Sequence, residues 1–495
     1  MKARIIKSRL FSWFVVIFLL QGCATVEQPL QSNLDSASVE VKDCANWFNN
    51  LDNTLEQAGV RDAGAYRIPG FPYLRVDRFL ASFREEAGKS DPAFDAWIAR
   101  LKELDNEARD YELSNLPEHY LGRKNSVKAK TDTCAAQLAK ADITSLAKNQ
   151  LITRAEVPDD YSDMNRAIGL YPLLRIFFAN GVERWHKETI ELFNRGGIDN
   201  NDTYIRYAPS GVIANAREIQ AIFKNAANDA LGIPRFDANA KETLFQTYAP
   251  VFEIETTGDF DRIGMLAWKG GESPDVLITQ PRVYQRLAFT RYHGRTLVQL
   301  VYTAWFPQRP SAGTFDILAG RLDGLVFRVT LDNQGQPLVY DTIHPCGCYH
   351  MFFPTNRVET LIAPDSNSEW AFIPRNAPVL KDTQRLALRI LTRAHYLIGL
   401  HPDDGGSGTV YTFVDDNELR GLPSGIPDLT HSSFGSDGTI PGTERGERFL
   451  FWPMGVTSAG TMRQWGKHAT AFLGRRHFDD ADLIESRFKI RSFSH

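Results

Sequence analysis

Two hydrophobic periods divide the chain. From about residue 41 to 235 apolar side chains recur at helical spacing. Beyond 236 they form short runs bounded by Gly, Asp and Asn. Cys44, Trp47, Phe48, Leu51 and Leu55 keep the i, i+3, i+4, i+7 spacing of one helix face. Asp91 as N-cap with Pro92 at the first helical position opens a second helix, whose stripe runs through Phe94, Trp97, Leu101 and Ala108. A third pattern holds Cys134 and Leu138. The stretch AIGLYPLLRIFFANGV (167–182), interrupted by Pro172 and Arg175, reads as a buried helix that continues through ERWHKETIELF. A further helix carries Ile219, Ile222 and Phe223 and stops at Gly232, with Pro234 beyond.

The later part reads as strands. VFEIET and IGMLAW are short and apolar. VYQRLAFTRY, HGR and TLVQLVYTAWF predict a hairpin with Gly294 in its turn. LDGLVFRVTL, DNQGQ and PLVYDTIH predict a second, with Gly335 in its loop. Further strands are expected at VETLIA, EWAFI, LALRILT and TVYTFVD. The tail after 425 is rich in Gly and loops and closes in a helix around DDADLIESRF (479–488). The expected fold is α+β: a helical domain over 41–235, then a mostly antiparallel β-rich domain over 236–495, sandwich or barrel, ending in a helix.

The start carries a different signal. Lys2, Arg4, Lys7 and Arg9 precede an apolar run from Leu10 to Leu20, broken only by Ser12. That run is too short to span a bilayer comfortably and suits a signal-peptide core. Leu20-Gln21-Gly22-Cys23 follows and resembles the lipobox of bacterial lipoproteins. The resemblance covers the first two dozen residues. It implies that residues 1–22 are a signal peptide and that Cys23 is diacylated as the mature N-terminus. Residues 23–40, polar and without helical period, then form a lipidated tether. Residue 24 is Ala rather than Asp, which by the sorting rule of enterobacterial lipoproteins implies the outer membrane, with the body facing the periplasm. The membrane, reached through this anchor, is the implied partner. A net charge of −4 without a long basic run argues against nucleic acid.

An oxidising compartment changes how the five cysteines are read. With Cys23 given to lipid, four remain. Cys44 and Cys134 are expected to bridge two helices. Cys346 and Cys348 lie in HPCGCYH with His344 and His350. On an extended strand these four share one face with about 6.6 Å between neighbours. Two thiolates on one zinc, or the Cβ atoms of a disulfide, need an approach near 3.8 Å. A bend is therefore required, and Pro345 and Gly347 supply it.

Three readings stay open for this stretch. Zinc or copper could be held by His344, Cys346, Cys348 and His350, with His293 added from the neighbouring hairpin tip; an open position would permit metal-assisted hydrolysis. The close thiols could instead be a redox pair. They could also be a structural clamp in a non-enzymatic envelope protein. Arg291 and Arg295 flank His293 and could hold an anionic substrate group, although a solvated turn has the same composition.

Asp316, Asp323 and Asp341 are spaced through the hairpins, where turn capping is the commoner role. TERGER (443–448) reads as a loop over a site. HKETIE (186–191) is not H-E-x-x-H and is set aside. No P-loop, G-x-G-x-x-G, G-x-S-x-G or C-x-x-C-H occurs.

Overall fold

The computed structural model describes residues 37–142, 145–195, 203–271, 273–364 and 368–491. The signal peptide, Cys23 and the tether up to residue 36 lie outside the described residues.

Helix α1 (Val39–Gln57) starts at Ser38, whose hydroxyl accepts from the Val41 amide, and buries Cys44, Phe48, Leu51 and Leu55. In α2 (Asp91–Asn115) the cap is Ser90, one residue earlier than expected. Its hydroxyl accepts from Ala93 N at 3.3 Å, which places Asp91 and Pro92 in the first turn. A disulfide joins Cys44 on α1 to Cys134 on α3 (Lys124–Asp142), with Cα atoms 4.9 Å apart, as expected. The helices close over an ion cluster on α2. Arg75 meets Glu112 at 2.7 Å and Asp105 at 3.1 Å, and Arg109 meets Asp52 at 2.5 Å, all five buried. Then come α4 (Asp163–Ile168) and α5 (Tyr171–Arg195).

One large sheet dominates the rest. Its strands in chain order are β1 (Tyr204–Pro209), β2 (Val251–Glu255), β3 (Arg282–Tyr292), β4 (Arg295–Arg309) and β5 (Gly320–Leu331). They continue with β6 (Pro337–Ile343), β7 (Met351–Pro354), β8 (Leu386–Ile390), β9 (Leu397–Pro402) and β10 (Thr409–Asp415). The spatial order is β7-β6-β5-β4-β3-β10-β1-β2-β8-β9. Consecutive hairpin strands pair antiparallel. Parallel pairs occur where long connections return, at β10 with β1 and β3 and at β8 with β2. The α+β class is as expected. The sheet is ten-stranded and mixed, with end strands β7 and β9 not paired to each other.

Both expected hairpins form. His293 and Gly294 make a two-residue turn with φ of 46° and 77°, the two positive values of a type I′ turn. Along β4, Leu300, Tyr302, Ala304 and Phe306 face one core and Val301 faces another, so the sheet is covered on both sides.

Other expectations fail locally. β1 lies inside the span read as helical, and a helix over Ala238–Tyr248 lies inside the β-rich span. EWAFI forms no strand. Residues 481–487 form successive turns instead of the final helix. The Ala481 carbonyl accepts from Arg291 N at 2.7 Å and from the Thr290 hydroxyl at 2.8 Å, so strand β3 takes the acceptor a helical ladder would use. Among the described residues no helix is long and apolar enough to cross a membrane.

Candidate functional site

HPCGCYH connects β6 to β7 and bends as its sequence requires. Gly347 N donates to the His344 carbonyl at 2.8 Å, and His344 N donates to the Cys348 carbonyl at 3.0 Å. Gly347 sits at φ 93°, and a Cβ there would lie 2.4 Å from the Ala469 carbonyl oxygen, so glycine is needed twice over. The bend carries Cys346 and Cys348 as two unbridged thiols. Interaction with Cys348 lowers the Cys346 pKa, while interaction with Cys346 and burial push Cys348 well above the ordinary thiol range. Cys346 is buried and Cys348 is partly exposed.

The two histidines turn to separate carboxylates. His344 Nδ1 lies 3.2 Å from Asp323 Oδ1. The other oxygen of Asp323 lies 2.8 Å from His395 Nδ1, and His395 Nε2 reaches Asp261 at 3.3 Å. Arg445 closes the group at 3.2 Å from Asp323. Burial would raise Asp323, but Arg445 and His344 outweigh it and hold the carboxyl well below its usual range. Burial would lower His395, but hydrogen bonds to Asp261 and Asp323 prevail and raise it. His344 is lowered, because there burial wins over its single carboxylate. His350 Nε2 lies 2.9 Å from Asp341 Oδ2, and Arg328 grips the same carboxylate with two bonds, at 2.9 and 2.5 Å. Burial brings His350 down to about 3.

The expected ligand set is thus divided. Cys346 and Cys348 stay together, while His344 and His350 are each engaged by their own aspartate. Among the described residues no group of three or more His, Cys, Asp or Glu side chains is placed to hold a metal. His293 does not approach the set. Register places Ile343 opposite Val326 and Val326 opposite Thr303, so the hairpin tip at Arg295 is roughly 26 Å away along β4. His293 is exposed and pairs with Glu485 at 3.0 Å. Arg291 holds the helical region instead of an anion. Its guanidinium sits 3.9 Å from the Phe83 ring centre and meets Glu86 at 2.5 Å. Arg295, the first residue of β4, shares the tip with His293.

A cavity of about 370 Å³ lies against the bend. Gly347, Cys348, Tyr349 and His350 form one wall. Helix α5 forms another with Phe178, Gly181, Val182 and Trp185. Trp185 meets Tyr349 at 5.5 Å and Phe372 at 5.0 Å between ring centroids, and His186 stacks on Phe372 at 3.8 Å. Phe451 and Phe472 stack at 4.4 Å on the far side.

Polar side chains also reach the walls, among them Arg184, Glu369, Glu447 and Arg476. Tyr396 donates to the Tyr349 hydroxyl at 2.9 Å, and Arg309 donates to Tyr396 at 3.1 Å. Glu447 is raised by burial, which outweighs Arg445 and Arg309. His186 is brought down to about 4, by burial first. The cavity is an aromatic box that also carries one thiol, hydroxyls, the carboxyls of Glu369 and Glu447 and the guanidiniums of Arg184 and Arg476; its surface is mainly apolar, which suits a mainly apolar ligand.

TERGER is therefore packed structure at the site. Arg445 reaches Asp323, and Glu447 lines the cavity. HKETIE supplies His186 to the wall. Of the three aspartates, Asp316 caps a turn by accepting from Ala312 N and Leu318 N, whereas Asp323 and Asp341 bind the histidines. Sequence reasoning missed Asp261, His395, Tyr396 and Trp185, which come from chain-distant segments with no local pattern. Asp341 opposite Arg328 was legible from the hairpin register. No family model matches the chain, and none of the curated proteins or solved structures compared with it does either.

Proposed function

We propose that the protein is a lipid-anchored component of the bacterial outer membrane, facing the periplasm, that binds a mainly apolar ligand in the cavity between α5 and the HPCGCYH bend. The observation that carries the binding reading is the aromatic cavity of about 370 Å³. Pockets of this size enclose small ligands, and burying apolar ligand surface contributes about 25 cal/mol per Å². The lipobox at Leu20-Gln21-Gly22-Cys23 supports the anchor.

A second reading is favoured by one juxtaposition, two unbridged thiols on the same bend with Cys348 at the cavity wall. In it Cys348, the thiol at the wall, attacks a ligand disulfide as its thiolate and releases one ligand thiolate. Cys346 then attacks the mixed disulfide and releases the second. The ligand leaves as two thiols and the protein as the Cys346–Cys348 disulfide. The zinc-or-copper reading, with metal-assisted hydrolysis, keeps two ligands of its set, Cys346 and Cys348, and needs others from the ligand itself.

Titration with a dansylated fatty acid tests the binding reading. Saturable one-to-one binding with quenching of tryptophan emission is the expected result. Linear, non-saturating fluorescence would contradict it. Ellman titration before and after addition of a small disulfide tests the second reading, which expects two thiols lost per chain.

A further inference from the structure

The stretch read as a buried helix is not buried. Only Thr189 and Phe193, near the C-terminal end of α5, are fully enclosed. In its first half Leu173, Ile176 and Phe177 are exposed, Phe177 by 72%. The neighbouring helix α6 (Arg448–Phe451) exposes Phe449 by 72%, along with Leu450. Phe178 on α5 meets Phe451 on α6 at 5.4 Å between ring centroids, so the two apolar surfaces join. They extend further, because Glu447 N donates to the Ile317 carbonyl at 3.0 Å. Ile317 is itself exposed, and two residues before it Phe315 is exposed by 93%.

Contiguous exposed apolar surface of this kind marks an interaction site. Within its two helical segments the charge is one-sided, while Asp316 lies between Phe315 and Ile317. LYPLLRIFFANGV (170–182) and RFLFWPM (448–454) contain no carboxylate, and their only charges are Arg175 and Arg448.

The same elements line the cavity. Phe178, Gly181 and Val182 of α5, Phe451 of α6 and Ile317 face it, one helical step from the exposed residues. We propose that this face rests on an anionic bilayer surface, with Leu173, Ile176, Phe177 and Phe449 in the headgroup and acyl boundary and the cavity mouth turned toward lipid. The proposal rests on the lipid-anchor reading, which supplies the bilayer. Residues 24–36 reach at most about 45 Å when extended, so an acylated Cys23 would hold the body within that distance of the membrane. A ligand that is mainly apolar would then pass from the bilayer into the cavity without crossing water. Arg175 and Arg448 on the two helical segments suit anionic headgroups, which attract Lys and Arg near the surface.

The test uses the full chain, processed in cells and reconstituted into phosphatidylethanolamine–phosphatidylglycerol vesicles that contain a diazirine-bearing phospholipid. After illumination, labelled peptides are mapped by mass spectrometry. The expected result is labelling of residues 164–182 and 448–454, reduced at least tenfold in an Ile176→Glu, Phe177→Glu variant. Both positions are exposed, so an unchanged thermal midpoint confirms that the variant folds. Labelling confined to the acylated N-terminal peptide would overturn the docking face and leave the anchor standing. Labelling of α5 and α6 in a chain whose mass shows no acyl groups would uphold the face and remove the anchor. Burial of the face in a dimer that excludes lipid label would overturn the proposal in favour of a second copy.

Discussion

Trp185 on α5 and Tyr349 in the HPCGCYH bend meet with their ring centroids 5.5 Å apart. They come from distant parts of the chain, and their contact closes one wall of the cavity beside Cys348. Helix α5 is therefore both a surface element and the roof of the candidate site.

Gly181 separates those roles. It lines the cavity, and a Cβ built there meets nothing within 4 Å. Gly181→Leu should fill the cavity and, through helix propensity alone, stabilise α5 by about 0.8 kcal/mol. The expected outcome is a thermal midpoint equal to or above the parent's, with dansyl fatty acid binding weakened at least tenfold. Unchanged affinity would place the ligand elsewhere.

The Cys44–Cys134 bridge closes a loop of sequence separation 90. In the chain-entropy model its loss costs about 4.6 kcal/mol. A Cys44→Ser, Cys134→Ser double variant should show that drop in urea unfolding, and reductant should destabilise the parent but not the variant.

Asp341 carries two buried partners, Arg328 and His350. Asp341→Ala leaves the guanidinium and the ring buried without their acceptor, at a cost of roughly 3–5 kcal/mol. Adding Arg328→Met should recover part of that loss. Equal stability of the single and double variants would show that the pair is not the source of the cost.

Acid should unfold the protein through its buried neutral histidines. His350 and His468 are brought down to about 3 and His186 to about 4, burial being the first cause in each. The unfolded chain binds these protons near pH 6.5 and the folded chain does not. Their neutral burial is therefore tolerated fully above pH 6.5, and stability falls as pH drops toward 3–4, by about 1.4 kcal/mol per pH unit for each group. His395 has the opposite sign. Its raised pKa favours the fold below pH 6.5, and that contribution is lost as pH rises through the raised value. His468→Gln should flatten the acid limb in urea titrations between pH 6 and 4. An unchanged slope would contradict this assignment.

Local patterns were legible and distant meetings were not. The α1 face and the His293-Gly294 turn follow from short-range spacing and turn chemistry, and the Cys44–Cys134 bridge from the cysteine count in an oxidising compartment. The need for a bend at Pro345 and Gly347 followed from ligand geometry, and the bend is present. Which partner each histidine takes depended on register and on loops far along the chain. His395 and Arg393, both at positive φ, are examples that no propensity would suggest. The α5 reading failed because hydropathy cannot distinguish an apolar face turned to the core from one turned outward. Read in the fold, Leu173, Ile176 and Phe177 become a surface feature.

The most direct test is hydrogen exchange with and without saturating dansylated fatty acid. The account predicts slowed exchange in two peptides at once, 178–186 of α5 and 346–350 of the bend, which meet only at the cavity. Protection absent from both, or present only elsewhere, would contradict it.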